Sequence, residues 1–68
     1  MKTFGHFYIE QPIGCYIEKS KEDVFGKQLD VYWACIDYID KKGNKNTAAE
    51  KYPTRGKAEN ALNNFKND

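Results

Sequence analysis

The side chains in this sequence that are able to do chemistry are few and far apart. His6 is the single histidine, and the two cysteines, Cys15 and Cys35, match no zinc-binding spacing. Asp37 and Asp40 face opposite sides of a predicted strand, so they cannot act together as an acid and a base. The sequence contains no glycine-rich phosphate loop and no nucleophile motif. It therefore predicts a non-enzymatic protein without a metal or a cofactor.

The two cysteines lie in segments that are typical of strands, where a free cysteine usually serves as a small buried apolar residue. A bridge between them requires an oxidising compartment. Residues 1–12 lack the continuous apolar stretch of a signal peptide, and no run approaches the roughly 18 apolar residues that are needed to span a membrane. We therefore predict a cytoplasmic location without membrane contact, where such a bridge is disfavoured.

Length and composition indicate one small domain over residues 1–68. Charged residues make up 31% of the chain and hydrophobic residues 40%, the proportions of an ordinary folded protein. A domain of this size buries only about 60% of the surface that its unfolded chain exposes, so its core is small.

The first half of the chain has two segments of strand character. Aromatic and β-branched residues predict one strand over residues 4–10 and another over residues 14–19. A turn at residues 11–13 would join them into an N-terminal hairpin. Residues 20–28 are polar and include a glycine, so we expect a loop there.

The second half of the chain has clearer patterns. Residues 30–40 predict a third strand, and a turn at residues 42–44 leads into a fourth strand, Lys45–Tyr52. Thr54 is a good helix N-cap, and one apolar stripe at helical spacing follows it: Ala58, Ala61, Leu62 and Phe65. The predicted fold class is α+β, a small antiparallel β-meander of three to four strands with one C-terminal helix packed on one face.

The third predicted strand has large apolar residues on both faces. One face carries Tyr32, Ala34, Ile36 and Tyr38, and the other carries Val31, Trp33, Cys35 and Ile39. A single helix covers only one of these faces. We expect the other to be covered by the segment containing Val24, Phe25 and Leu29, by a second copy of the chain, or by a partner.

Ten aromatic residues exceed what so small a core needs, and they indicate an interaction surface. The candidate contacts for a protein partner or for a homodimer are Trp33, Tyr32, Tyr38, Tyr8 and Tyr16.

The charge distribution suggests a second kind of surface. Through Asp40 the chain has four lysines against seven acidic residues, and from Lys41 onward it has seven basic residues against three acidic ones. A basic edge of this kind suits phosphate. The candidate nucleic-acid contacts are Lys41, Lys42, Lys45, Lys51, Arg55 and Lys57.

Residues 30–66 contain, in order, a predicted strand, a glycine turn, a second strand and a helix that begins with T-x-x-x-A. The residues that define this pattern are Trp33, Ile36, Tyr38, Asp40, Gly43, Tyr52, Thr54, Lys57, Ala58 and Ala61. This segment resembles the arm-type DNA-binding N-terminal domains of phage and transposon integrases. The resemblance implies a three-stranded antiparallel sheet with a C-terminal helix, and a sheet that lies in the major groove of DNA.

The sequence departs from that family along the sheet. Residues 47–50, TAAE, stand where several lysines or arginines are expected, and Asp37 stands where a cation would face phosphate. Aromatic residues with balanced charge suit a protein interface better than DNA. We therefore predict a non-catalytic protein-binding factor, inhibitory or adaptor in role, of the kind that phages and mobile elements encode. The alternative is a nucleic-acid-binding module, in which the basic edge contacts phosphates and the sheet aromatics near Trp33 and Tyr38 contact bases.

Overall fold

The computed structural model describes residues 2–67. Its elements are β1 (Lys2–Phe4), β2 (Phe7–Ile9), β3 (Gln11–Val24), β4 (Lys27–Ile39), β5 (Lys45–Tyr52) and α1 (Arg55–Asn67). β1 and β2 form a two-stranded sheet, and β3, β4 and β5 form a three-stranded antiparallel sheet in that order. The predicted α+β class, with an antiparallel sheet and one C-terminal helix packed on it, is confirmed.

The longest element is the hairpin of β3 and β4, with 14 and 13 residues. The loop predicted over residues 20–28 is wrong, because both strands continue through this segment and reverse at Phe25 and Gly26. These two turn residues have positive φ angles of 53° and 78°. Two successive residues of this kind match the right-handed twist of a hairpin, so the strands stay paired up to Val24 and Lys27.

The N-terminal strand predicted over residues 4–10 is also wrong. It is divided by a turn at Gly5 and His6, after which β2 folds back on β1. Gly5 has a φ of 60° and lies so close to the Glu50 side chain that a Cβ atom there would clash with it. The turn therefore depends on glycine for its backbone angle, whereas the flexible carboxylate end of Glu50 is able to move away from a Cβ atom.

Residues 11–13 belong to β3 rather than to the predicted turn, and the predicted hairpin between the first two strands does not form. Pro12 is tolerated because β3 is an edge strand of the three-stranded sheet and does not need every N–H group for pairing. The register shifts between Pro12 and Gly14, so Ile13 is an extra residue in a β-bulge.

The core lies on one side of the three-stranded sheet. Its buried residues come from the sheet, the helix and the β1–β2 hairpin: Ala34, Ile36, Ala48, Ala58, Leu62, Phe65, Phe4 and Ile9. Alanines on β4, β5 and α1 let the helix backbone approach the sheet. The rings of Phe4 and Phe65 meet edge to face, with centroids 6.0 Å apart. Helix and N-terminal hairpin therefore cover the same face together.

The helix begins as predicted. The backbone N–H of Lys57 donates to Thr54 Oγ1 at 3.2 Å, which is an N-cap hydrogen bond. In the predicted stripe, Ala58, Leu62 and Phe65 are buried and Ala61 is half-buried. The apolar stripe of the helix is therefore confirmed as its core-facing side.

Two regions of the molecule differ in how far the sheet extends. β5 pairs with β4 from Tyr32 to Ile39 only. Residues 20–31 of the β3–β4 hairpin therefore continue beyond β5 as a two-stranded extension, which we call the ribbon. We call the rest of the molecule the body. The ribbon accounts for the elongated shape, whose principal extents are 41, 24 and 17 Å.

Candidate binding surfaces

The sheet has a second face, opposite the core, which we call the open face. On β4 it carries Val31, Trp33, Cys35, Asp37 and Ile39, because side chains alternate along a strand. Helix and N-terminal hairpin both pack on the other face, and no element of residues 2–67 covers this one. The predicted cover by Val24, Phe25 and Leu29 is wrong, since these residues belong to the ribbon.

Trp33 lies at the centre of the open face and is half-buried. Its cross-strand neighbours are Glu18 on β3 and Lys51 on β5. Lys51 Nζ also forms an ion pair with Glu22 Oε2 at 2.6 Å. Exposed ion pairs contribute little stability, so this one serves mainly to orient the two side chains. The result is an aromatic side chain bordered by charges of both signs, as in the centre and rim of many protein interfaces.

Cys35 also faces the open side, yet it is only 3% exposed. Its cross-strand neighbour is Tyr16, and its thiol donates a weak hydrogen bond to the Trp33 carbonyl oxygen, with a sulfur-to-oxygen distance of 3.6 Å. Burial raises the pKa of the Cys35 thiol, and the negative charge of Glu18 adds to this. The thiol therefore stays protonated near neutral pH, a state that does not favour nucleophilic chemistry.

Two polar side chains near Tyr16, those of Asp37 and Thr47, are hydrogen-bonded to each other. Thr47 Oγ1 donates a hydrogen bond to Asp37 Oδ1 at 2.6 Å across the β4–β5 pair. Partial desolvation, followed by the charge of Asp37, raises the pKa of Tyr16 above its usual value. Tyr16 is 43% exposed. It therefore remains a neutral phenol that offers both a ring and a hydroxyl group to a partner.

The two cysteines lie on opposite faces of the sheet. Cys15 is opposite Ile36 in the β3–β4 register and so lies on the core side, whereas Cys35 lies on the open side. Both are free, and the fold keeps their side chains apart. His6 is exposed in the first turn, and residues 2–67 hold no group of three or more acidic, histidine or cysteine side chains suited to a metal ion.

The five aromatic residues predicted to form one interface are divided among three places. Trp33 and Tyr16 share the open face. Tyr38 packs against the core and lines a cavity of about 340 Å³ with the exposed Tyr8, beside Asp40 and Lys41. Tyr32 also packs against the core, at the far end of the β4–β5 pairing.

The six basic residues predicted to form one edge lie at two ends of the body. Lys41, Lys42 and Lys45 are exposed around the β4–β5 turn. Arg55 and Lys57 follow the opposite end of β5, which at about 3.3 Å per residue is on the order of 20 Å away. Lys51 is paired with Glu22, and Arg55 Nε is paired with Glu59 Oε1 at 3.1 Å. Only the turn lysines form a compact basic group.

The ribbon is the surface that sequence reasoning missed. Phe25 at its tip is 101% exposed, and Leu29 is 49% exposed. On the open side of the ribbon, Val24, Leu29 and Val31 line a cavity of about 230 Å³ that Tyr52 and Pro53 close from the body; we call it the groove. One feature of the sequence could have indicated this hairpin. Gly26 lies between two polar segments of similar length, and a glycine in that position is typical of a hairpin turn.

Comparisons of this chain with protein-family models, with curated proteins and with solved structures found no match. Among residues 2–67, no helix combines the length and the apolar character that are needed to cross a membrane.

Proposed function

We propose that this domain is a non-catalytic protein-binding module that contacts its partner through the open face around Trp33. The observation that carries this proposal is an apolar sheet face, centred on a half-buried tryptophan, that no element of residues 2–67 covers. Tryptophan and tyrosine are enriched among the residues that dominate binding energy at protein interfaces. Such a module acts by occupying or bridging a surface of its partner, which is an inhibitory or adaptor role of the kind that phages and mobile elements encode.

The charges on the open face favour a protein over a nucleic acid. Glu18, Glu22 and Asp37 surround Trp33 with only Lys51 among them. A phosphate backbone would be repelled by these carboxylates and would gain few counterion-releasing contacts. A protein surface with charges of both signs pairs with this arrangement.

The test compares the proteins that bind three immobilised variants in an extract of cells that express the chain. We expect the wild type to enrich a defined partner, Trp33→Ala to lose it, and Lys42→Ala to retain it, because Lys42 lies at the β4–β5 turn and not on the open face. Circular dichroism confirms that each variant is folded. The proposal fails when folded Trp33→Ala retains the same partner as the wild type.

Nucleic-acid binding is the second candidate, and the turn lysines favour it. Among the residues that the structure describes, Lys41, Lys42 and Lys45 form no ion pair, and the cavity of Tyr8 and Tyr38 lies beside them. Aromatic rings next to free cations are typical of single-strand binding, in which bases stack and lysines contact phosphates.

Titration of a fluorescent single-stranded oligonucleotide at increasing salt tests this candidate. Three phosphate contacts predict a slope of about −2 in a plot of log K against log salt. Lys42→Glu is expected to weaken binding, whereas Trp33→Ala leaves it unchanged. Binding that is absent at low salt, or that depends on Trp33 and not on Lys42, excludes this candidate.

A further inference from the structure

The turn at the tip of the ribbon contains a phenylalanine, Phe25, whose backbone angle and exposure are unusual for that residue type. Phe25 is fully exposed, and its φ of 53° lies in the left-handed region that bulky side chains rarely adopt. Asparagine, aspartate or glycine is the usual residue at such a turn position. Phenylalanine here adds strain and places an apolar ring in water, and an exposed apolar side chain of this kind favours a contact outside this copy of the chain.

The groove on the open side of the same ribbon has the size and the lining for a phenyl ring. Its volume is about 230 Å³. Its walls are the apolar side chains of Val24, Leu29, Val31 and Pro53, the ring of Tyr52, and the ion-paired Glu22 and Lys51. An apolar cavity of about 150 Å³ is enough to take up benzene. The ribbon therefore carries both an exposed ring and an apolar site able to receive one.

We propose that two copies of the chain form a closed dimer through their ribbons, in which each copy inserts Phe25 into the groove of the other. Leu29 lies midway along the ribbon, with Phe25 toward the tip and Val31 toward the body. When two ribbons lie antiparallel and face to face about a two-fold axis near Leu29, each tip reaches the Val31 end of the opposite groove. The contact is reciprocal, so it closes after two copies.

The charges of the ribbon fit a second copy. Residues 20–31 contain Lys21 and Lys27 against Glu22, Asp23 and Asp30, so two ribbons repel each other little. Glu22 lies opposite Leu29 on the open side, close to this axis, and its charge is offset by the ion pair with Lys51 of the same copy. The same near-neutral charge disfavours nucleic acid and anionic lipid as occupants.

Sedimentation equilibrium over a dilution series tests the dimer. We expect the wild type to shift from dimer to monomer on dilution and Phe25→Asn to weaken association by about 100-fold or more, because each dimer loses two buried rings. Asparagine suits a positive φ, so this variant keeps its fold, and a thermal unfolding curve verifies this.

A second variant addresses the groove, and a third serves as the control. Leu29→Glu places like charges at the two-fold axis and is expected to abolish the dimer. Ile13→Asn removes another exposed apolar side chain, 56% exposed at the β3 bulge, and is expected to leave the dimer intact. A wild type that stays monomeric, a dimer that persists in Phe25→Asn, or an assembly larger than a dimer overturns the proposal.

Co-sedimentation of the wild type with phosphatidylcholine and phosphatidylserine vesicles examines lipid as the occupant. Binding of a monomer that is lost in Phe25→Asn assigns the tip to a lipid surface and overturns the dimer. The protein-binding function at Trp33 is judged separately, since its partner is lost in Trp33→Ala and not in Phe25→Asn.

Discussion

β3 and β4 run through two regions that differ in what supports them. In the body, the two strands are joined by β5 and packed under the helix, and Ala34 and Ile36 are fully buried. In the ribbon, the same strands continue with no third strand, and none of residues 20–30 is buried. Backbone pairing holds the ribbon in its extended form, with small contributions from the exposed ion pairs Lys19–Asp30 and Lys51–Glu22. Packing therefore constrains the side chains of the body, whereas the apolar side chains of the ribbon remain for external contacts.

The turns at the two ends of β4 show the same difference. In the turn of the body, the Asp40 carboxylate accepts hydrogen bonds from the backbone N–H groups of Lys42 and Asn44, both at 2.9 Å, and from Asn46 Nδ2 at 2.7 Å. Gly43 takes the positive φ there. At the tip of the ribbon, Phe25 takes a positive φ instead. One turn is built for stability, and the other presents a ring at a cost in stability.

The largest expected difference between the regions concerns core packing. Ile36→Ala is expected to lower the free energy of unfolding by about 2–5 kcal/mol, because it leaves a cavity in a small core. Leu29→Ala in the half-exposed ribbon position is expected to change it by no more than about 0.5 kcal/mol. Urea titration followed by Trp33 fluorescence, at a concentration where the chain is monomeric, measures both. Equal losses for the two variants would show that the ribbon is packed as firmly as the body.

We expect a loss of unfolding free energy of intermediate size when the N-cap residue of the helix is replaced. Thr54→Ala removes the hydrogen bond to the Lys57 N–H group and is expected to cost about 1 kcal/mol of unfolding free energy. Ser20→Ala, at the exposed base of the ribbon, is the matched hydroxyl deletion and is expected to change stability by less than about 0.5 kcal/mol. Chemical denaturation of both variants checks this. A larger loss for Ser20→Ala contradicts the picture of a ribbon held by its backbone.

The tip of the ribbon is expected to respond in the opposite direction. Phe25→Asn relieves the unfavourable backbone conformation and should raise the unfolding free energy of the monomer by about 0.5–1 kcal/mol. Phe25→Ala keeps a Cβ atom at the same φ, and we expect it to give little of this gain. Thermal unfolding at high dilution distinguishes the variants. Destabilisation by Phe25→Asn would mean that the ring makes a stabilising contact within one chain.

The body turn is expected to show a small pH dependence that the tip lacks. Hydrogen bonds, above all that from the Asn44 N–H group, lower the pKa of Asp40 below its ordinary value. A lowered folded pKa means that this contribution is fully present above the unfolded value near 4 and is lost as the pH falls from there through the lower folded value. The melting temperature of the wild type should therefore fall more steeply in acid than that of Asp40→Asn. Parallel curves for the two proteins would contradict this assignment.

The helix and the β4–turn–β5 unit were predictable because their signals are local. Thr54, the apolar stripe after it and Gly43 each act within a few residues of their own position. The ribbon was not predictable in the same way, since polar residues on both faces give no alternation of apolar side chains. Its extended form depends on pairing between two neighbouring strands, which the types of the polar residues do not indicate. The Gly5 turn, by contrast, lies beside Glu50, which is far away in the sequence.

The candidate surfaces were predictable only in part. The alternation along β4 correctly separated Trp33 from Tyr32 and Tyr38, but both faces of β4 are apolar, so the sequence did not decide which one the helix covers. Small residues decide it in three dimensions, because Ala34, Ala48 and Ala58 allow close approach of the helix. Grouping the tyrosines by type alone then placed residues from separate surfaces in one predicted site.

The order of the strands has a consequence for the time course of folding. In the sheet of β3, β4 and β5, each strand pairs with the strand next to it in sequence, and the closing turns are short. Contacts that are local in sequence form early, because little loop entropy is lost before they stabilise the chain. We therefore expect the β4–β5 hairpin, with its hydrogen-bonded turn, to form first and to provide the template for β3. We expect the strained turn at Phe25 to form last, so that substitutions of Phe25 change the folding rate least.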